Sequence, residues 1–149
     1  MKIVDANVLL YATNRSSRQH QASHQWLTHA LSSSETIGFP WVSLLAFVRL
    51  STNPRIFGSP LSAETAFDQV DSWLGQPPSI IVVPTTRHAS ILRGLLLESG
   101  TAANLTTDAH LAAMAIEHGA DIVTFGRDFA RFSVRVHRPG RPAKSGPDS

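Results

Sequence analysis

Cysteine is absent from all 149 residues. A disulfide framework, a thiolate zinc site and a cysteine nucleophile are therefore excluded. Lysine is almost missing as well, since eleven of the thirteen basic residues are arginines. Arginine's planar fork pairs with phosphate oxygens, so the bias leans toward nucleic acid, although a GC-rich genome would produce it without any function attached. Charge of one sign is also lacking: eleven acids leave a formal net charge of only +2. No long apolar run is present. Met1 to Ala12 is apolar but interrupted by Asp5, too short for a spanning helix and without the basic start and small-residue cleavage site of a signal peptide. A soluble cytoplasmic protein with no membrane association is expected. With 42% hydrophobic residues, the length suits one domain with a real core and leaves no room for a second.

What is present alternates. Lys2–Ile3–Val4 reads as a buried strand ending at Asp5. Ser17 to Leu31 places Ala22, Trp26, Leu27, Ala30 and Leu31 at helical spacing. Thr36 to Phe39 reads as a second strand stopped by Pro40, and Trp41 to Leu50, apolar almost all round, as a buried helix. Ser62 opens a helix with Ala66, Val70, Trp73 and Leu74 on one face, broken by Pro77–Pro78. Ile80 to Val83 carries the β-branched run of a buried strand. Thr86 to Glu98 is helical again, closed by Gly100, and Thr106 to His118 is a helix with Gly119 as its C-cap. Asp121 to Thr124 is the next strand, with Val134 to Val136 as a candidate for the last. Strands alternating with helices of this length imply βαβ units and a mostly parallel sheet. No internal repeat is present. Residues 1–137 form the expected domain, and 138–149, rich in proline and glycine, the expected flexible basic tail.

In an open α/β sheet, ligands bind beyond the carboxyl ends of the strands, and three acids fall there. Asp5 ends the first strand, Asp128 follows the Ile122–Thr124 strand, and Asp108 sits in the first turn of the helix feeding that strand. Converging carboxylates raise one another's pKa unless a cation neutralises them. An all-oxygen ligand set selects Mg²⁺ or Mn²⁺, which keep several waters and reach substrate phosphates. Such an ion activates water and stabilises a phosphodiester transition state. The seven histidines do not cluster at zinc-ligand spacing, and Ser43 and Ser51 have no histidine placed for a serine triad.

Three segments then carry a family resemblance: IVDANVLLYA at the start, TDAHLAAMAIEHGADIVT, and RDFARF near the end. In order and spacing they resemble the motifs of VapC-type PIN-domain toxins over residues 1 to about 137. FPWVSLLAFVRLSTNPRIF and PLSAETAFDQVDSWL resemble the central part of one VapC subgroup. The resemblance implies a three-layer α/β/α fold, a divalent cation, endoribonuclease activity on RNA, a cognate antitoxin and a homodimer. Residue by residue, it implies Asp5 and Asp108 as metal ligands and Asn7 and Thr124 as supporting polar groups. Arg49 and Arg127 are candidate contacts to RNA or antitoxin.

Two positions depart from the family. A glutamate is usual three residues before the arginine of the second motif, where Ala46 precedes Arg49. Gly126 stands where the fourth acid is usual, which leaves Asp128 as the nearest carboxylate. The expected catalytic set is thus Asp5, Asp108 and Asp128, and two alternatives stay open. One is a catalytically decayed PIN domain that binds RNA or antitoxin without cleavage. The other is a metal phosphatase, which fits the acids but not the remaining motifs.

Overall fold

The computed structural model describes residues 1–141. Five short strands, β1 (Lys2–Val4), β2 (Ile37–Phe39), β3 (Ser79–Ile81), β4 (Asp121–Val123) and β5 (Val136–His137), form one sheet in the order β3-β2-β1-β4-β5. Every pairing is parallel, so each connection must cross over, and helices make most of the crossings. They are α1 (Ala6–Thr13), α2 (His20–Leu31), α3 (Trp41–Ser51), α4 (Ala63–Leu74), α5 (His88–Ser99) and α6 (Thr106–His118).

Side-chain alternation divides the core into two layers. Val4 and Val123 point to the face covered by α1 to α4, where they meet Leu9, Leu27, Leu44, Phe47 and Trp73. Their neighbours Ile3 and Ile122 point the other way, into Leu105, Leu111, Met114 and Phe129. Both faces of the central strands are fully buried, which is why these segments read as unbroken apolar runs. The result is the three-layer α/β/α domain with a parallel sheet.

Several helix ends follow from their capping residues. Ser62 accepts from the Thr65 amide at 3.1 Å and opens α4. Gly119 closes α6 at φ 61°, a left-handed conformation that a Cβ would strain.

Four features go beyond the sequence reading or differ from it. Residues 6–13 are helical, because Asp5 caps a segment whose apolar side chains face α2 and α3 as well as the sheet. The expected Ile80–Val83 strand is not buried throughout, since of these residues only Val82 lies in the core. The strand lies on the sheet edge, where Ile80, Ile81 and Val83 are 39%, 44% and 57% exposed. Helix α3 is not buried all round either, since Trp41 and Leu45 are exposed. At the C-terminus the packed chain continues past His137. Arg138 donates to the Phe125 carbonyl at 3.1 Å, Pro139 is buried, and Gly140 takes a φ of 84° beside Ala22. Residues 142–149 of the expected tail lie outside the described residues.

Candidate active site

From β1 the chain builds outward through β2 to β3 on one side, while β4 and β5 lie on the other. The strand order therefore reverses between β1 and β4, and a crevice opens at the carboxyl ends of such a pair. Asp5 follows β1 and Thr124 follows β4. The Asp5 amide donates to the Val123 carbonyl at 3.0 Å, which locks the two strand ends together.

Asp5 is the N-cap of α1: its Oδ1 accepts from the Ala6 amide at 2.7 Å. Its Oδ2 accepts from the Thr124 hydroxyl at 2.7 Å and, more weakly, from the Asn7 side-chain amide at 3.4 Å. Thr124 is 1% exposed. Its single proton goes to Asp5, while its oxygen accepts from the Gly126 amide at 2.8 Å and from Asn7 at 3.3 Å. Asn7 completes the ring through its carbonyl oxygen, which accepts from the Phe125 amide at 3.2 Å. Burial raises the Asp5 carboxyl above its usual range, and the bonds from Thr124 and Ala6 work against that rise.

Asp108 lies in the first turn of α6. Its carboxyl is pushed up to about 6, first by burial and then by the negative fields of Asp5 and Asp128. A helix N-terminus favours a negative charge and so acts against that rise. Asp128 begins a short 3-10 turn, Asp128–Arg131, and is half-exposed, with Arg131 Nε 3.8 Å away. Asp108 is thus electrostatically coupled to both Asp5 and Asp128. Among the described residues, however, no group of three or more acids and histidines gathers closely enough to enclose an ion. Neither Asp5 nor Asp108 has a basic ion-pair partner there.

Beside Asp5 a groove of about 540 Å³ opens between α3 and α6. Val42, Ala46 and Leu111 make its wall apolar, and the exposed Arg49 contributes a cation to it. Ser43 is also in the wall, 1% exposed, and its Oγ has no hydrogen-bond partner. Arg127 is exposed at the edge of the 3-10 turn, next to Asp128. At Gly126 an added Cβ would stand 3.1 Å from Thr124 Oγ1, so the missing acid leaves a position with little room for a side chain.

One polar cluster was not foreseen from the sequence. Glu117, whose side chain is fully enclosed, accepts from the Thr85 amide at 2.7 Å, the Thr85 hydroxyl at 2.6 Å and the His88 ring. His88 in turn meets His110 at 2.8 Å. These contacts tie α5 to α6. The available signal was the spacing of His110 and Glu117, two helical turns apart on one face.

Residues 2–134 match the PIN domain family. The chain is 54% identical over 140 residues to ribonuclease VapC37 of Mycobacterium tuberculosis, covering 93% of this chain and 97% of that protein. Ribonuclease VapC33 of the same species is 39% identical, covering 89% and 93%. Among solved structures, VapBC2 from Rickettsia felis, bound to a DNA fragment from its promoter, matches with a TM-score of 0.64 at 18% identity, covering 93% of this chain and 98% of that one.

Proposed function

The chain belongs to the PIN-domain family and, within it, to the VapC ribonucleases, and from that premise we propose that it is a Mg²⁺- or Mn²⁺-dependent endoribonuclease, the toxin of a toxin–antitoxin pair. The observation that carries this reading is the Asp5 carboxylate held by Thr124 across the β1/β4 strand ends, with Asp108 near enough to feel its charge and that of Asp128.

The residues present fit a hard cation of a particular kind. Asp108 feels the negative charges of Asp5 and Asp128, neither Asp5 nor Asp108 has a basic partner among the described residues, and the three do not close a cage. That suits an ion held by one or two carboxylates that keeps water or substrate phosphate in its remaining positions. Asp5 and Asp108 would hold it. When bound, such an ion polarises a phosphodiester oxygen and offsets the charge that develops there.

The chain's own groups do the rest. An ionised carboxylate has about four acceptor sites, so Asp5 keeps capacity for an ion after accepting from Ala6 and Thr124. Thr124 and Asn7 fix its orientation. Asp128, half-exposed, orients the attacking water and accepts its proton. Arg49 and Arg127, both exposed, guide the RNA backbone. The exposed apolar edge at Ile80, Ile81 and Val83 supports burial against a second copy, and the likeness to a VapBC structure supports an antitoxin partner.

A second reading, binding without cleavage, is favoured by Ala46 and Gly126, which supply no carboxylate. Incubation of RNA with the purified chain separates the two. Cleavage with Mg²⁺ or Mn²⁺, lost in EDTA and lost in a folded Asp5→Asn variant, is the expected result. RNA left intact by the wild type with either ion rejects the nuclease.

A further inference from the structure

Ser43 is unused by the metal chemistry. Its hydroxyl is buried in the groove wall without a partner, an arrangement that costs stability which alanine would not cost. The surrounding wall is apolar at Val42, Ala46 and Leu111, the Asp5 carboxylate borders the same groove, and Arg49 supplies its cation. The volume of about 540 Å³ lies within the range of small-ligand sites.

We propose that this groove receives one nucleobase of the RNA strand, next to the phosphate handled at Asp5, with the base face on Val42, Ala46 and Leu111 and a base edge paired to Ser43 Oγ. The proposal rests on the nuclease reading and adds a base subsite to it. A phosphate would meet an apolar wall, and an aliphatic side chain would leave the hydroxyl orphaned. A nucleobase has apolar faces and a polar edge, and so satisfies both. Ala46 opens the slot, where a carboxylate would narrow it and repel the phosphates of the same strand. The Ser43 oxygen is closed to water in this conformation, so pairing takes a turn about its Cα–Cβ bond, between staggered positions. A base can enter only when unstacked.

Anisotropy of fluorescein-labelled single-stranded RNAs in EDTA, with one abasic ribose walked along the strand, tests this. In the wild type, one abasic position should weaken binding about tenfold. Ala46→Leu, which fills the slot, should abolish that difference. Ser43→Ala should melt higher than wild type yet bind the intact RNA more weakly and the abasic RNA equally. Ser23, buried and unpaired in α2, is the control: Ser23→Ala should raise stability and leave binding unchanged. Equal binding of intact and abasic RNAs overturns the proposal. So does a Ser43→Ala variant that melts lower with normal binding, or an Ala46→Leu variant that changes only the oligomeric state. Cleavage of the same RNAs with Mg²⁺ separates the two readings. Cutting that ignores every abasic position overturns the base slot and leaves the nuclease, whereas base-selective binding with no cutting overturns the nuclease and leaves the slot.

Discussion

Thr124 donates its hydroxyl proton to Asp5 Oδ2 at 2.7 Å, across 119 residues of chain. The bond joins the ends of the two strands between which the sheet reverses its order, and it holds a buried carboxylate in one orientation. Because the same oxygen also accepts from the Gly126 amide, the hydroxyl cannot be replaced by a methyl without orphaning groups on both sides.

Thr124→Val should therefore cost about 1–3 kcal/mol in denaturant unfolding and lower RNA cleavage by about 10- to 100-fold, as loss of a ligand-orienting partner does. Thr124→Ser, which keeps the hydroxyl, should retain most of both. Equal activity of the valine and serine variants would remove Thr124 from the account.

Asp108 holds its proton up to about pH 6, against 3.8 for the free side chain. Between these values the folded chain binds more protons than the unfolded one, so this group's contribution to stability falls as pH rises through that window. In the absence of metal, Asp108→Asn should melt higher than wild type at pH 7, and the two should converge below about pH 4. Asp108 is only partly buried, so solvent screening keeps the difference modest. Its place in the first turn of α6 opposes the effect and reduces the difference further. Thermal melts across pH in EDTA check this, and a variant that melts lower at pH 7 contradicts it.

Restoring the missing acid should harm the fold. A Cβ at Gly126 would lie 3.1 Å from Thr124 Oγ1 and 3.5 Å from the Phe129 ring. Thr124 is buried and bonded on several sides, so it cannot give way without disturbing Asp5. Gly126→Asp should lose about 1–3 kcal/mol, the usual range for overpacking, and should not cleave RNA faster. A more active and equally stable variant would show that the crevice has slack.

Glu117 should matter for stability alone. Glu117→Ala leaves the Thr85 amide and the His88 ring without an acceptor and should cost about 3 kcal/mol. RNA cleavage per folded molecule should be unchanged. His110 belongs to the same cluster. Burial first, and then the nearby His88, lower its pKa, so the folded chain binds fewer protons than the unfolded one below about pH 6.5. That part of the stability is present above about pH 6.5 and is lost as pH falls. Unfolding free energies of His110→Ala should depend less on pH there than those of wild type.

Much of this was legible in the residues. The strands at Ile3–Val4 and Ile122–Val123, the helix opened by Ser62 and the stop at Gly119 each carry a local signal that the packing does not override. Helix α1 was hidden because Asn7 to Ala12 is apolar on nearly every side, which erases the helical period. The exposure of Ile80 and Ile81 was hidden for a different reason. A β-branched run reads the same at a sheet edge as at its centre, and only the strand order distinguishes them. At the site, the rule for strand ends pointed to Asp5, Asp108 and Asp128, and the family resemblance to Asn7 and Thr124. The groove wall at Ser43 and the joining of His88 to Glu117 and His110 depend on contacts between helices, and only the His110–Glu117 spacing within α6 left a trace of the cluster in the sequence.

Calorimetric titration of Mn²⁺ into the wild type and into Asp5→Asn, Asp108→Asn and the double variant is the most direct test that the two aspartates share an ion. A single site is predicted, weakened strongly by either substitution, no weaker in the double variant than in the poorer single one, and fading as pH falls below about 6. Wild-type affinity in Asp108→Asn, or no Mn²⁺ binding by the wild type at pH 7, would contradict the shared site.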